Sequence, residues 1–509
     1  MNNLADKLIL NYDKFPEKII LIQDERKYTY SDLYLRVILL KNYLRDNGLK
    51  ENSKILILQT MSIELYIILL AIWSIGAIPC FMDAGFIKNN INNNEFEEIN
   101  AIIGNTKYLL YSNINKNLNK LKIKINSNII EKLAKNETLT SILGKEELEI
   151  TEVEKDYPAI YTYTSGSTGK PKVISRTHDF LLTQAQILEE NLNYEDNDIE
   201  LSTVPVFTLS NLYYGVTTVI ADMNYSNLEK TNGSKLITQI EKNRINRIMC
   251  SPGLIRIITD YCIKNNLEIS YKTKVFTGGG AVFQDLIEKI KKVFLDTTIF
   301  TIYGSSEAEP IAMLDINDMD ETDIKETIEG KGILAGKIIG VDDCKTIEIG
   351  QEKIGTITKE RLSELESPIG EIIVAGKNVL EGYVNGIGDA ENKIKVGDVV
   401  YHRTGDVGEI DEKGRLWLKG RIKNPYFGIE ASLHCQLNIG KTAILKENNK
   451  LILVLESSEG ISEEKIREAI NFINIDKIVY ISSIPVDKRH GSKVDYKELL
   501  SNLKFNHII

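Results

Sequence analysis

A strongly apolar stretch without any charged residue runs from residue 65 to residue 82. Its length reaches the lower limit of a membrane-spanning helix, but Gly76 and Pro79 interrupt it near its end. The pattern therefore predicts a buried helix over Ile63–Ser74 that stops at Gly76, followed by a buried strand over Ile78–Met82. It argues against an integral membrane protein.

Between residues 245 and 304, short apolar runs alternate with segments of helical periodicity. The runs at 245–250, 274–277 and 298–303 predict strands, and the apolar positions at 254–264 and 282–294 predict helices. Strands and helices that alternate across short glycine-containing turns form a parallel sheet with right-handed crossovers, and ligands bind at the carboxyl ends of its strands. Glycines occupy two of these strand ends, at Gly278–Gly280 and at Gly304. We expect Gly278, Gly279 and Gly280 to contact the substrate.

The pattern changes after about residue 366. Short strands between glycine-bearing turns, at Gly370–Ala375, 382–384 and 415–419, predict a β-rich module. From residue 441 onward, a hairpin, a helix capped by Ser462 and a strand over Lys477–Ile481 predict a small α+β unit.

These elements together predict an α/β protein. Residues 1–420 form a large N-terminal domain in which parallel-rich sheets are flanked by helices and joined by the β-rich module. Residues 421–423 form a hinge, and residues 424–509 form a small α+β C-terminal domain.

Composition and charge narrow the class of protein. The 509 residues are 43% hydrophobic and 26% charged, which is typical of folded globular domains. The formal net charge of −10, without a local basic stripe, argues against a nucleic-acid partner. The five cysteines have neither CxxC nor Cys/His spacing, so we expect no disulfides, no structural zinc and a reducing, cytoplasmic location.

A segment rich in hydroxyl residues and glycines follows a strand-like run that ends at Tyr163. Such a loop can direct backbone N–H groups and hydroxyls toward phosphate oxygens, while its glycines allow close approach. It is not a Walker-type P-loop, because that pattern needs glycine at position 164 and serine or threonine at position 171, where Pro171 stands. The expected phosphate-binding residues are Thr164, Ser165, Gly166, Ser167, Thr168, Gly169 and Lys170.

The loop resembles the phosphate loop of the adenylate-forming enzymes, which include acyl-CoA synthetases, luciferases and peptide-synthetase adenylation domains. Further segments resemble motifs of this family in the same order over residues 25–500, nearly the whole chain. Each match alone is unspecific, but the ordered set is very specific. The segments are Tyr303-Gly304-Ser305-Ser306-Glu307, Gly370-Glu371-Ile372 with Gly382-Tyr383, Thr404-Gly405-Asp406, Gly420-Arg421-Ile422-Lys423 and Ser492-Lys493-Val494-Asp495.

The resemblance implies that this chain binds ATP with Mg²⁺. The loop would hold the β- and γ-phosphates, and Thr168 and Glu307 would position the metal, a hard cation that takes oxygen ligands. Tyr303 would lie against the adenine, with Gly304 letting the backbone pass close by and Ser306 also contacting the nucleotide.

The same resemblance implies roles for three further residues. Asp406 would accept hydrogen bonds from both ribose hydroxyls. Arg421 would reach the ribose or the phosphates from the domain junction. Lys493, on a mobile C-terminal domain, would bridge the substrate carboxylate and the α-phosphate and offset the charge that develops there.

The segment at 204–214 corresponds to the acid-binding region of the family. Peptide-synthetase domains usually place an Asp there for the substrate ammonium, but this segment contains no carboxylate. A buried ammonium without a partner costs several kcal/mol, so the pattern favours a fatty, hydroxy-fatty or aromatic acid, with Phe207 and Asn211 as substrate residues. Thr208 stands where many acyl-CoA ligases have histidine, so a histidine role is lost.

The resemblance, which is to the fatty-acyl branch, implies activation of a carboxylic acid to an acyl-AMP, then transfer to CoA, in fatty acid metabolism. Two alternatives within the family stay open: an acyl-AMP ligase that loads a separate carrier protein, and a β-lactone synthetase acting on a β-hydroxy acid. An inactive binding protein on the same fold is opposed by the intact Glu307, Asp406 and Lys493. A hydrolase is excluded because no GxSxG segment exists.

Overall fold

The computed structural model describes residues 2–82, 98–115, 118–135, 147–164, 172–351, 353–437, 439–456, 461–487, 491 and 493–505. Its strands are β1 Ile19–Gln23, β2 Arg26–Thr29, β3 Lys54–Leu58, β4 Ile78–Met82, β5 Ile99–Gly104, β6 Ile123–Asn126, β7 Pro158–Thr164, β8 Lys172–Thr177, β9 Ile199–Ser202, β10 Thr217–Ile220, β11 Arg247–Cys250, β12 Thr273–Gly278, β13 Thr297–Ser305, β14 Ala308–Asp315, β15 Ile333–Ile338, β16 Asp343–Ile347, β17 Gly355–Ile357, β18 Gly370–Ala375, β19 Lys393–Val396, β20 Val399–Ile410, β21 Arg415–Arg421, β22 Thr442–Glu447, β23 Lys450–Glu456 and β24 Lys477–Ile481. Its α-helices are α1 Asp6–Lys14, α2 Tyr30–Asp46, α3 Ile63–Ser74, α4 Thr106–Ile114, α5 Ile129–Ala134, α6 His178–Leu192, α7 Pro205–Tyr214, α8 Gly233–Lys242, α9 Pro252–Lys264, α10 Gln284–Val293, α11 Glu321–Ile328, α12 Lys359–Leu365, α13 Asp389–Asn392, α14 Phe427–Gln436, α15 Glu463–Ala469 and α16 Tyr496–Phe505.

One compact unit contains the chain up to Ala221 together with residues 380–390. Its first sheet has the order β6-β5-β3-β4-β7-β8 and is parallel except for β8, which runs antiparallel to β7. A second group of strands, in the order β9-β10-β1-β2, is parallel except for β2. Helix α3 packs against α2, β4 and β1 and is buried along its whole length apart from Glu64. It is apolar on every side because it is enclosed on every side.

The other compact unit contains residues 222–379 and 391–509. Its large sheet has the order β11-β12-β13-β14-β15-β21-β20-β18-β16, parallel from β11 to β13 and antiparallel from β13 onward. Strand β19 adds to β20, and β17 adds to β19. Helices α9 and α10 connect the three parallel strands, as the apolar periodicity between residues 245 and 304 predicts.

Residues 424–505 build a three-stranded sheet, in the order β22-β23-β24, with helices on both faces. Apolar side chains alternate along β22, so that Ile444 joins the core beside α14 and α15 while Ala443 joins the core beside α16. This period of two is the reason that one short sheet supports two apolar layers. The boundary and hinge at residues 421–423 stay predictions, because the compact units do not test them.

The predicted helix and strand at Ile63–Ser74 and Ile78–Met82 are confirmed. The predicted strand at 382–384 is wrong: Tyr383 instead packs with Ile174 and Leu380 in a small apolar cluster, and a 3₁₀ turn follows. An apolar pair flanked by glycines fits a strand and a turn equally well. Only the packing of Tyr383 decides between these two conformations. Within the described ranges, no helix combines the length and the apolar character that a bilayer crossing requires.

Glu430 is a buried carboxyl in helix α14, with the hydroxyl of Thr442 donating to its Oε1 at 3.4 Å. Burial raises the pKa of Glu430 to about 8, so the folded chain holds a proton there that the unfolded chain releases above about pH 4.5. Folding is therefore coupled to proton uptake between these two values, and the contribution of this group to stability falls as the pH rises.

We expect Glu430→Gln to remove this pH dependence. Relative to the variant, the wild-type free energy of unfolding should fall by about 1.4 kcal/mol per pH unit between pH 5 and 8. Urea titrations at pH 5.5 and 7.5 measure the difference, with Glu468→Gln, at an exposed position of α15, as the matched control. Parallel pH profiles for wild type and Glu430→Gln would show that Glu430 is ionised in the folded chain.

Candidate active site

The Thr404-Gly405-Asp406 segment lies inside the long strand β20, where the ladder is irregular. Gly405 has a φ of 71°, in the left-handed region, and allows the chain to turn there. The Thr404 hydroxyl donates to the backbone oxygen of Ile372 at 2.9 Å and accepts from the backbone N–H of Asp406 at 3.1 Å. These contacts fix the direction of the Asp406 side chain.

Asp406 is the centre of a group of polar side chains. Its Oδ2 accepts a hydrogen bond of 2.8 Å from the hydroxyl of Tyr303, and its Oδ1 lies 3.0 Å from Nε of Arg421. The Asp406 side chain is 16% exposed, whereas that of Arg421 is 58% exposed. Burial raises the pKa of Asp406, and the charge of Arg421, the Tyr303 hydrogen bond and the charge of Lys493 act in the opposite direction. Lys493 therefore lies close enough to act on this carboxylate.

Tyr303 and Gly304 end the straight part of β13, next to the glycines that end β12. Gly278 pairs with Ile302, and a β carbon at Gly278 would lie 2.2 Å from the Ile302 backbone oxygen, so only glycine fits this position. Gly279 has a φ of 78° and open space around it. The structure thus brings the predicted glycines of two neighbouring parallel strands together, at the carboxyl end where ligands bind.

A turn between β13 and β14 carries the remaining residues of the tyrosine motif. Ser306 is exposed and Glu307 is partly exposed, and the backbone N–H of Glu307 donates to the Ser305 hydroxyl at 3.3 Å. The structure places this carboxylate on the accessible side of the strand end.

The turn after β21 begins at Gly420 and holds Arg421 against Asp406. Backbone hydrogen bonds join Arg421 and Asn424 in both directions, and the N–H of Ile422 donates to Gly405. The Arg421 Nη1 also donates to the Thr404 backbone oxygen at 3.0 Å. The C-terminal segment therefore starts from a turn that is hydrogen-bonded to the Asp406 segment.

The backbone of Lys493 is hydrogen-bonded to Asp487. The backbone oxygen of Lys493 accepts from the N–H of Asp487 at 2.8 Å, and the backbone N–H of Lys493 donates to the Asp487 carboxylate at 3.0 Å. The Lys493 side chain itself is exposed.

The predicted acid-binding residues lie in the other compact unit, on helix α7. Phe207 is 3% exposed and Asn211 is fully buried. The Asn211 side chain donates to Glu200 at 2.7 Å and to Thr218 at 3.0 Å, so it ties α7 to β9 and β10. These contacts give Asn211 a structural role and leave its predicted substrate contact untested.

Most of the predicted phosphate loop lies outside the described residues, namely Ser165, Gly166, Ser167, Thr168, Gly169 and Lys170, together with the side chain of Thr164. Thr164 and Lys172, on either side of it, pair across the antiparallel strands β7 and β8. In the described part of the chain, no group of three or more His, Cys, Asp or Glu side chains could hold a metal.

One pair near the site was not found from the sequence. Arg403 and Glu371 are 7% and 3% exposed, and Arg403 Nε donates to Glu371 Oε2 at 2.9 Å, directly beside the Asp406 segment. A buried ion pair of this kind needs both partners in place. The signal in the sequence is Glu371, the one charged residue of the apolar strand β18.

Two features define the class of adenylate-forming enzymes. Neighbouring parallel strands end in glycines, and a cluster of tyrosine, carboxylate and arginine lies where the C-terminal α+β segment begins. The chain belongs to the AMP-binding enzyme family, whose model matches residues 10–384.

Individual relatives are distant. The olefin beta-lactone synthetase of Stenotrophomonas maltophilia is 25% identical over 67% of this chain and 66% of its own length. The 4-coumarate–CoA ligase 3 of Arabidopsis thaliana is 22% identical over 70% of this chain and 65% of its own length. The chain thus spans about two thirds of the length of these relatives. The solved structure of O-succinylbenzoate coenzyme A synthetase from Bacillus subtilis with ATP and magnesium has a TM-score of 0.71 at 18% identity, covering 97% of this chain and 99% of that chain, and shares its fold.

We expect Gly420→Ala to disrupt the turn that holds Arg421. Gly420 has a φ of 126°, and an added β carbon would lie 2.4 Å from the Asn424 backbone oxygen. The substitution should cost about 2 kcal/mol or more of unfolding free energy, measured in urea. Gly414→Ala is the control, because its φ of 73° is also positive but nothing lies within 4 Å, and it should cost about 1 kcal/mol. Equal costs would mean that the Gly420 turn relaxes freely.

Proposed function

We propose that this chain activates a carboxylic acid with ATP. A carboxylate oxygen of the acid attacks the α-phosphorus, the bond between the α-phosphorus and the bridging oxygen breaks, and pyrophosphate leaves while acyl-AMP remains. The observation that carries the proposal is the cluster in which Tyr303, Arg421 and the charge of Lys493 surround the carboxylate of Asp406.

Asp406 is suited to bind the ribose. As an ionised carboxylate it accepts several hydrogen bonds, so two hydroxyl groups can replace or join the Tyr303 contact. Burial raises the pKa of Tyr303 well above its ordinary value, so this phenol stays a hydrogen-bond donor. Its ring is the proposed contact of the adenine. A β carbon at Gly304 would lie 3.0 Å from the Ala308 backbone oxygen, so glycine suits the close approach of β13 and β14 at this position.

The charges around the α-phosphate come from Arg421 and Lys493, whose side chains are both exposed toward solvent. Lys493 would contact the substrate carboxylate and the α-phosphate and offset the charge that develops at phosphorus. The phosphate-loop residues from Thr164 to Lys170 would bind the β- and γ-phosphates.

Glu307 fits a magnesium site, with Thr168 as its proposed partner. Mg²⁺ is usually bound by one or two protein oxygens together with substrate phosphates and waters, and a single accessible carboxylate meets that need. When bound, the metal would neutralise charge on the leaving pyrophosphate. The Bacillus subtilis neighbour is a complex with ATP and magnesium, which supports the same requirement here.

An apolar acid, fatty or aromatic, is the proposed substrate. Helix α7 carries no carboxylate for a substrate ammonium, and its Phe207, Leu209 and Leu212 are buried in an apolar environment. The free state of all five cysteines supports a reducing, cytoplasmic compartment.

Transfer to CoA is the proposed second step, supported by the similarity to 4-coumarate–CoA ligase 3. The similarity to olefin beta-lactone synthetase favours a second candidate, in which the acid carries a β-hydroxyl. That oxygen would attack the acyl carbon and close a four-membered ring, AMP would leave, and the hydroxyl proton would pass to solvent. Loading of a separate carrier protein is the third possible outcome for the same adenylate.

A panel of acids, each with ATP and Mg²⁺, tests the first step and the acceptor together. We expect medium or long apolar acids to release pyrophosphate and AMP, and free α-amino acids of equal length to react poorly. Release that needs CoA indicates the ligase, whereas a β-hydroxy acid consumed without CoA and yielding a β-lactone indicates the second candidate. ADP as the stoichiometric product, or no reaction with any acid, would overturn the proposal.

Lys493→Ala should slow adenylate formation by about 10²–10³, since one preorganised donor to a developing charge is lost. The variant should still consume acyl-AMP that is supplied ready-made, because Lys493 serves only the first step. Lys477→Ala, at another exposed lysine of the same segment, is the control and should leave both rates unchanged. If Lys493→Ala slows both steps equally, Lys493 does not act on the first step alone.

A further inference from the structure

Helix α14, the first helix of the C-terminal segment, is enclosed on two sides. Every residue from 428 to 434 is buried. Ile429 and Leu433 belong to the apolar core of the C-terminal segment, while the helix also packs against α10 and α11, which belong to the preceding part of the chain. A helix shared by two cores fixes the orientation of the segment that it begins.

Backbone contacts make this packing tight. A β carbon at Gly428 would lie 2.1 Å from the backbone oxygen of Gly330, so the two glycines touch. One turn further along α14, the Ser432 hydroxyl lies 2.7 Å from the backbone oxygen of Ile328, at the end of α11.

At the other end of the interface between α14 and the preceding part of the chain, His434 makes a polar contact. The imidazole of His434 stacks on Phe283, with the ring centroids 4.5 Å apart and the planes 8° from parallel. Its Nδ1 lies 3.2 Å from Oδ1 of Asp285, which begins α10, and its Nε2 lies 3.2 Å from the Thr442 hydroxyl. The other carboxylate oxygen of Asp285 pairs with Arg256 at 2.8 Å. His434 and Asp285 are 3% and 10% exposed, so solvent screens their interaction only weakly.

The neighbours of Asp285 keep its carboxylate charged. Burial opposes ionisation of Asp285, but His434 and Arg256 outweigh it and lower the pKa of that carboxyl to about 2. Glu288 on α10 and Cys435 on α14 lie near Asp285, and Thr442, which contacts His434, also contacts Glu430 on α14. Burial raises the pKa of Cys435 to about 11 and that of Glu430 to about 8, so neither carries a charge near neutral pH.

We propose that the contact between Asp285 and His434 is a latch that holds the C-terminal segment in the orientation that places Lys493 near Asp406. Gly491, two residues before Lys493, packs on Leu228 of the preceding part of the chain, so the loop of Lys493 is seated in the same orientation. The latch rests on the proposed function, because Lys493 serves adenylate formation. Movement of Lys493 away for the second step would first have to open it.

Two variants separate a latch from a merely structural contact. His434→Phe keeps a ring against Phe283 but removes both nitrogens, and Asp285→Asn keeps the size and one acceptor but removes the charge. Glu288→Gln, an exposed change of charge on the same helix, is the control. The measured quantity is the ratio of adenylate formation to the consumption of supplied acyl-AMP, with CoA or, for a β-hydroxy acid, without it.

We expect both latch variants to lower this ratio about fivefold or more, through slower formation, while Glu288→Gln leaves it unchanged. Equal loss of both steps, or an unchanged ratio in both variants, would overturn the latch.

Hydrogen exchange in the full-length chain without substrates gives a readout that does not depend on the reaction. The peptide over residues 427–436 should exchange faster in the latch variants than in the wild type. Unchanged protection in both variants would overturn the latch even if the enzyme is active. Absence of pyrophosphate release from any acid would instead overturn the proposed function, and the exchange data would still decide the latch.

Discussion

The need to keep one buried carboxylate charged organises the candidate site. Asp406 is only 16% exposed, and burial alone favours its neutral form. Three elements oppose this: β13 supplies the Tyr303 hydroxyl, β21 supplies Arg421, and the C-terminal segment supplies the charge of Lys493. The charged form of this carboxylate is therefore stabilised by partners from three separate elements of the chain.

The need to keep Asp406 charged also links the site to the C-terminal segment, which follows it in the chain. Asp406 and Arg421 are paired across β20 and β21, and Arg421 also begins the turn that leads into α14. The orientation of the C-terminal segment and the electrostatics of Asp406 are therefore coupled through a few backbone hydrogen bonds. The close packing of α14 makes this interface resemble a domain core more than a typical interface between domains, which is usually more polar.

The arrangement around Asp406 serves adenylate formation and says little about what consumes the adenylate. A CoA ligase and a β-lactone synthetase share the first step, and both kinds of protein are among the relatives of this chain. The difference between them lies in the acid and in what reaches the acyl carbon of the adenylate. The proposed latch on the C-terminal segment would matter for either outcome, because it would hold Lys493 near Asp406.

The sequence by itself was sufficient to predict those elements whose apolar pattern fits only one kind of secondary structure. The enclosed helix Ile63–Ser74 and the parallel strands before Gly278 and Gly304 follow from apolar periodicity and from glycine stops, which act locally. The ordered motifs were likewise sufficient for the family, because their order does not depend on packing. The tertiary structure alone decided that Tyr303 donates to Asp406, that Arg403 pairs with Glu371, and that His434 meets Asp285. These partners are separated by 32 to 149 positions in the chain, and only strand register and helix packing bring them within hydrogen-bond distance.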